Sequence, residues 1–202
     1  MKQHPPPALN FDELPNIHFF DRRSMLITLD KDLERKLPAQ PEVFERVRSA
    51  VMFAEQSGKQ DDLWRSAAFL RAALAEFGSI DEVQPAKKWT PEGFDLGKTS
   101  NPLPHLLSLM RHLNIHVKAI QGEPHKVEFT IGEHAGEHEV FIVSNLDAAD
   151  LAVLNNGKLY QRSDLQMVVA WFEEAQRHWG AGYLIRVGVE IYARALCEHY
   201  GL

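Results

Sequence analysis

Between Asn101 and Ile120, apolar residues fall at Leu103, Leu106, Leu107, Met110, Leu113 and Val117, three and four residues apart. That spacing predicts a helix with one buried stripe. Asn101 followed by Pro102 is a suitable opening, an N-cap and then a proline whose missing donor costs nothing in the first turn. A second helix is predicted from Pro41 to about Gln56, with Val43, Phe44, Val47, Val51, Phe53 and Ala54 on its apolar side and Gly58 ending it. The widest apolar stripe runs from about Gln60 to Phe77 through Leu63, Trp64, Ala67, Phe69, Leu70, Ala73 and Leu74. Asp61 and Asp62 suit the positive end of that helix, and Gly78 with Ser79 is expected to stop it.

Other stretches follow a different period. Lys126–Ile131 and Glu139–Val143 alternate or run apolar around Gly132–Gly136, which predicts a β-hairpin. Asn155-Asn156-Gly157 marks a further turn, and Ser163-Asp164-Leu165-Gln166 reads as a capping box. The helical region it opens should reach about His199, bent or interrupted at Gly180-Ala181-Gly182. Residues 79–100 hold Pro85, Pro91, Gly93 and Gly97 and read as a long connection. Ile17–Leu29 fits either a short strand or a helical turn. The expected architecture is a mainly α bundle of four to five helices with a small β-hairpin insertion around 125–144. Residues 1–40, with Pro5-Pro6-Pro7 and Pro15 near their start, form an expected N-terminal arm, and 41–202 the helical domain.

Composition narrows the function classes. The chain of 202 residues is 45% hydrophobic and 25% charged, as ordinary globular proteins are. A net charge of −6 argues against tight, non-specific binding to nucleic acid or an anionic membrane, while leaving room for a local positive site. One cysteine, Cys197, can form no intrachain disulfide. No apolar run is long enough for a membrane span and the first residues do not resemble a signal peptide, so a cytoplasmic location is expected.

Within the stripe at 101–120 lies Arg111-His112-Leu113-Asn114-Ile115-His116. A fixed cation, two imidazoles one turn apart and an amide are more than packing requires. This run resembles the Arg-polar-x3-His motif of the HEPN superfamily, with His112 in the polar position. The resemblance covers roughly residues 41–120 and the final helical region. It implies metal-independent endoribonuclease chemistry without a cofactor, in a homodimer whose motif helices form one cleft, with roles in defence or toxin–antitoxin systems. RNA would be the substrate and an antitoxin or other protein a further partner.

The residue types support such chemistry on their own. Attack by a ribose 2′-hydroxyl on the adjacent phosphate needs a group that titrates near neutrality, which His supplies. It also needs a permanent cation on the crowded phosphorus, and the guanidinium fork fits phosphate oxygens. Arg111 and His116 are therefore the expected clamp and acid–base, His112 an orienting catalytic group, and Asn114 a substrate-binding amide. The alternative is a non-catalytic helical module that binds a protein partner or a nucleotide. A purely structural reading places His116 in the core with its nitrogens satisfied.

Other candidates are weaker. Glu133-His134-Ala135-Gly136-Glu137-His138-Glu139 carries zinc-ligand residue types, yet it falls at a hairpin tip where a solvated turn is expected, so no metal site is assigned. Arg65, Arg71 and Glu76 could lend charge to the cleft, but read first as surface or ion-paired groups. Trp171, Phe172, Trp179, Tyr183, Tyr192 and Leu196 recur at helical spacing and are read as core rather than as a stacking platform.

Overall fold

The computed structural model of the chain describes residues 8–16, 29–59, 61–84, 94–131 and 134–202. Among them are seven α-helices and one two-stranded antiparallel sheet. The helices are α1 (Lys31–Lys36), α2 (Pro41–Ser57), α3 (Leu63–Val83), α4 (Pro102–His116), α5 (Ala148–Val153), α6 (Arg162–Trp179) and α7 (Ala181–Tyr200). The strands β1 (Gly122–Ile131) and β2 (His134–Val143) lie between α4 and α5. The mainly helical expectation with a small hairpin therefore holds. Two helices of six residues, α1 and α5, exceed the expected count; segments so short give no helical period to detect.

The core is built on α2 and α3, joined by a short connection, with α7 packed against both and against α4. Leu70, Leu74, Leu103, Leu106, Leu107, Phe172 and Tyr192 are fully buried there. Leu29, Leu33 and Leu37, from the segment assigned to the arm, are buried in the same core. Farther upstream, a 3-10 turn at Phe11–Glu13 docks on the start of α4. Asn10 N–H donates to the Ser100 carbonyl at 2.9 Å, and the Asn101 amide donates to the Glu13 carbonyl at 2.7 Å. The undecided stretch 17–28 and the breaker-rich residues 85–93 lie outside the described residues.

Several boundaries depart from expectation for identifiable reasons. Gly78 and Ser79 do not stop α3, which continues to Val83. Ile80 on the added turn is fully buried, and this packing outweighs glycine's propensity cost of about 1 kcal/mol. The capping box at 163–166 does not form. Helix α6 starts two residues earlier, after Gln161, and Ser163 Oγ donates to the Asp164 carboxylate rather than capping a backbone N–H. The interruption at 180 is real: Gly180 has φ +79°, a conformation side chains resist, and the chain turns there from α6 into α7.

The hairpin is longer than its apolar runs suggested, because backbone pairing extends in register from Gly122↔Val143 to Ile131↔His134. It is anchored by Gln176 of α6. This buried side chain accepts from Val143 N–H at 2.8 Å and donates to the Val143 carbonyl at 2.9 Å. No helix among the described residues is long and apolar enough to cross a membrane.

Candidate functional site

Helix α4 positions the motif. Asn101 caps it, accepting from Leu103 N–H at 3.0 Å, and Leu103, Leu106, Leu107, Met110 and Leu113 bury the expected stripe. Val117 does not join them. It follows the last helical residue and is 53% exposed, because the chain leaves the helical period there. The motif occupies the final turns, where α4 emerges from the core.

Arg111 and His116 project from α4 about 140° apart, the angle that five residues impose. Arg111 turns toward α3. Its chain lies in the notch left by Gly78, where a β-carbon would stand 2.1 Å from Arg111 Cδ. Its Nη2 reaches Glu82 Oε1 at 3.5 Å, with the arginine side chain 22% and the glutamate 65% exposed. The Arg111 Nε is buried with no hydrogen-bond partner among the described residues.

The imidazoles face the opposite flank, toward the connection between α5 and α6. His112 and His116 stack with centroids 5.9 Å apart and planes 19° from parallel. His112 is half-buried and its Nε2 lies 2.9 Å from the Asn156 side-chain amide nitrogen. Burial first, then the charges of Arg111 and His116, hold the His112 pKa below the ordinary imidazole value. His116 is exposed, contrary to what a purely structural reading requires. Ile115 and Val117 on either side of it are 51% and 53% exposed.

Asn114 does something different. Its Oδ1 accepts from the Ile120 backbone N–H at 3.1 Å, so the amide closes the turn that follows α4. The same turn is held by Arg71, whose guanidinium donates to the Ile120 carbonyl at 3.4 Å, and by an ion pair between Lys118 and Asp150 of α5. Glu76 is paired with Arg46 at 2.8 Å and Arg65 lies 4.0 Å from Asp62, so both fit the ion-paired reading. Of the aromatic set, Phe172 and Tyr192 are buried, and Trp179 stacks on Tyr183 at 5.2 Å.

One residue near the site was missed in the sequence. His105 precedes His112 by two turns on the same flank of α4 and is almost completely buried. Its Nε2 donates to the Thr99 carbonyl at 2.8 Å, and its Nδ1 accepts from Tyr160 O–H at 2.7 Å. The tautomer follows from the carbonyl, which can only accept. Burial pushes the His105 pKa down and the Tyr160 pKa up. The signal lay in the spacing: residues 105, 112 and 116 share one helical stripe.

The hairpin tip at residues 132 and 133 lies outside the described residues; Glu137 beside it pairs with Lys126 across the strands at 2.7 Å. Among the described residues, no three His, Cys, Asp or Glu side chains cluster as metal ligands would. No protein-family model, no curated protein and no solved structure matches the chain.

Proposed function

We propose that the protein is a metal-independent endoribonuclease of HEPN type, acting on RNA through Arg111, His112 and His116. The observation that carries this reading is the stacked His112–His116 pair at the open end of α4, with a guanidinium from the same turn. In the reaction, His116 takes the proton from a ribose 2′-hydroxyl. The O2′–P bond forms as the P–O5′ bond breaks, and an imidazole returns a proton to the departing O5′. Arg111 neutralises the phosphate as charge builds on it. The products are a 2′,3′-cyclic phosphate and a 5′-hydroxyl.

The divergence of Arg111 from the imidazoles within one chain fits a homodimer, in which the arginine of one copy complements the imidazoles of the other. Ile115 and Val117, exposed beside His116, supply apolar surface for such a contact. The charge on the protein as a whole is then no obstacle, since two Arg111 side chains make the potential locally positive. A cytoplasmic setting and a toxin–antitoxin or defence role belong to the same reading, as does regulation by a protein antitoxin.

The Arg111–Glu82 contact favours a second reading, a helical module that binds a protein partner or a nucleotide without cleaving RNA. Incubating the purified protein with total RNA in EDTA, beside the Arg111→Ala/His116→Ala variant, separates the two. Cleavage by the wild type alone, with cyclic-phosphate ends, establishes the enzyme. Intact RNA with both proteins folded moves the assignment to the module. A pH–rate profile lacking an ionisation in the imidazole range would also remove the acid–base role of His116.

A further inference from the structure

Asn155-Asn156-Gly157 stands out in the sequence as a turn, and nothing in the proposed reaction uses it. The structure brings it to the imidazoles. We propose that Asn156 is a positioning residue: it holds His112 as the Nδ1-protonated tautomer, with its ring fixed in the stack with His116. As a statement about catalysis this rests on the ribonuclease reading; as a statement about the imidazole it does not.

The Asn156 Nδ2 lies 2.9 Å from His112 Nε2 and can only donate. His112 Nε2 is therefore the acceptor, and the ring's one proton is on Nδ1. In free histidine the other tautomer is preferred, so the contact selects a form the ring would not choose alone. A charge on His112 is opposed from three sides: by half-burial, by Arg111 and by His116. The ring stays neutral with its Nε2 occupied. It orients, while exposed His116 exchanges the proton.

A positioning residue must itself be held, and Asn156 is. Its carbonyl accepts from Leu159 N–H at 3.2 Å, and Lys158 N–H donates to the Leu154 carbonyl at 3.1 Å. Gly157 lies so close to α5 that a β-carbon on it would stand 1.8 Å from the Leu151 carbonyl oxygen. The far end of the turn is fastened by Tyr160, whose hydroxyl donates to His105 on the same stripe of α4 as His112. The connection from Leu154 to Tyr160 thus grips α4 at two histidines, and only the second reaches the open end.

The experiment uses the full chain labelled with 15N at histidine. The ring nitrogen shifts of His112, assigned with a His112→Gln variant, report which nitrogen carries the proton at neutral pH. The wild type should show Nδ1 protonated. Asn156→Ala should return His112 to the Nε2-protonated form, and Asn156→Asp should do so more completely, because a carboxylate accepts from Nε2–H. Gly157→Ala, which displaces the turn without removing the amide, should resemble Asn156→Ala. If the protein cleaves RNA, Asn156→Ala should lower kcat about tenfold with KM unchanged, the usual scale for removing a group that orients a functional imidazole. Nε2 protonated in the wild type, or a tautomer unmoved by Asn156→Ala and Asn156→Asp, overturns the proposal. Absence of cleavage alongside the expected tautomer change overturns the ribonuclease reading and leaves the positioning of His112 standing.

Discussion

Arg111 of α4 lies across Gly78 of α3, so closely that a β-carbon on the glycine would meet Arg111 Cδ at 2.1 Å and Nε at 2.2 Å. The two residues are a side chain and its seat. Gly78→Ala should lift Arg111 out of the notch. Helix α3 gains from alanine about as much as the displaced contact loses, so stability should change by less than about 1 kcal/mol. On the proposed ribonuclease reading, RNA cleavage should fall toward the level of Arg111→Ala. Thermal unfolding beside a cleavage assay checks this, and unimpaired cleavage would remove Arg111 from the reaction.

On the proposed ribonuclease reading, Glu82 competes with phosphate for Arg111. The carboxylate is mostly exposed and 3.5 Å from the guanidinium, so the pair is worth about 0–1 kcal/mol. Glu82→Gln should leave the fold intact and lower KM for RNA by up to about fivefold. An unchanged or higher KM in steady-state cleavage would show that Glu82 does not restrain the guanidinium.

Two imidazoles link stability to pH. His105 and His112 both have pKa values held below 6.5, chiefly by burial. The unfolded chain therefore binds more protons than the native one once pH drops below 6.5. Stability contributed by these groups is complete above that value and declines as pH falls through it toward their lower native values. Urea midpoints between pH 7.5 and 5.5 should decrease in the wild type and change less in His105→Gln/His112→Gln. A midpoint that rises on acidification would contradict the burial of these rings.

Gln176 should be needed to hold the hairpin. Gln176→Leu leaves the Val143 N–H and carbonyl without their partner in a buried setting, at a cost of about 2–6 kcal/mol for the two groups. Hydrogen exchange should accelerate first at Val143 and its neighbours in β2. Exchange rates that match the wild type there would show that the strands hold themselves.

Much of the helical scaffold was readable because it depends on local rules. The apolar period of α2 and α4, the Asn101 cap, the proline starts and the Gly180 break each act within a few residues. The period of α3 was equally plain, but its end was misplaced. Gly78 carries an ordinary helix-stop signal, and its true purpose, making room for Arg111, depends on a helix more than thirty residues away. The capping box failed similarly: the residue pattern was present, but the chain enters α6 two residues earlier.

Local spacing alone specified a helical protein with a hairpin and put Arg111, His112, Asn114 and His116 at one end of a buried helix, since helical spacing converts directly into faces. What each of those faces meets depends on long-range packing. It set Arg111 against Gly78 and Glu82, turned Asn114 to the Ile120 N–H, and brought Asn156 and Tyr160 to the histidine stripe. Those partners lie between six and fifty-five residues from the groups they contact. Nothing in local spacing encodes such a meeting; it follows from how the apolar faces of α3, α4 and α5 are buried together.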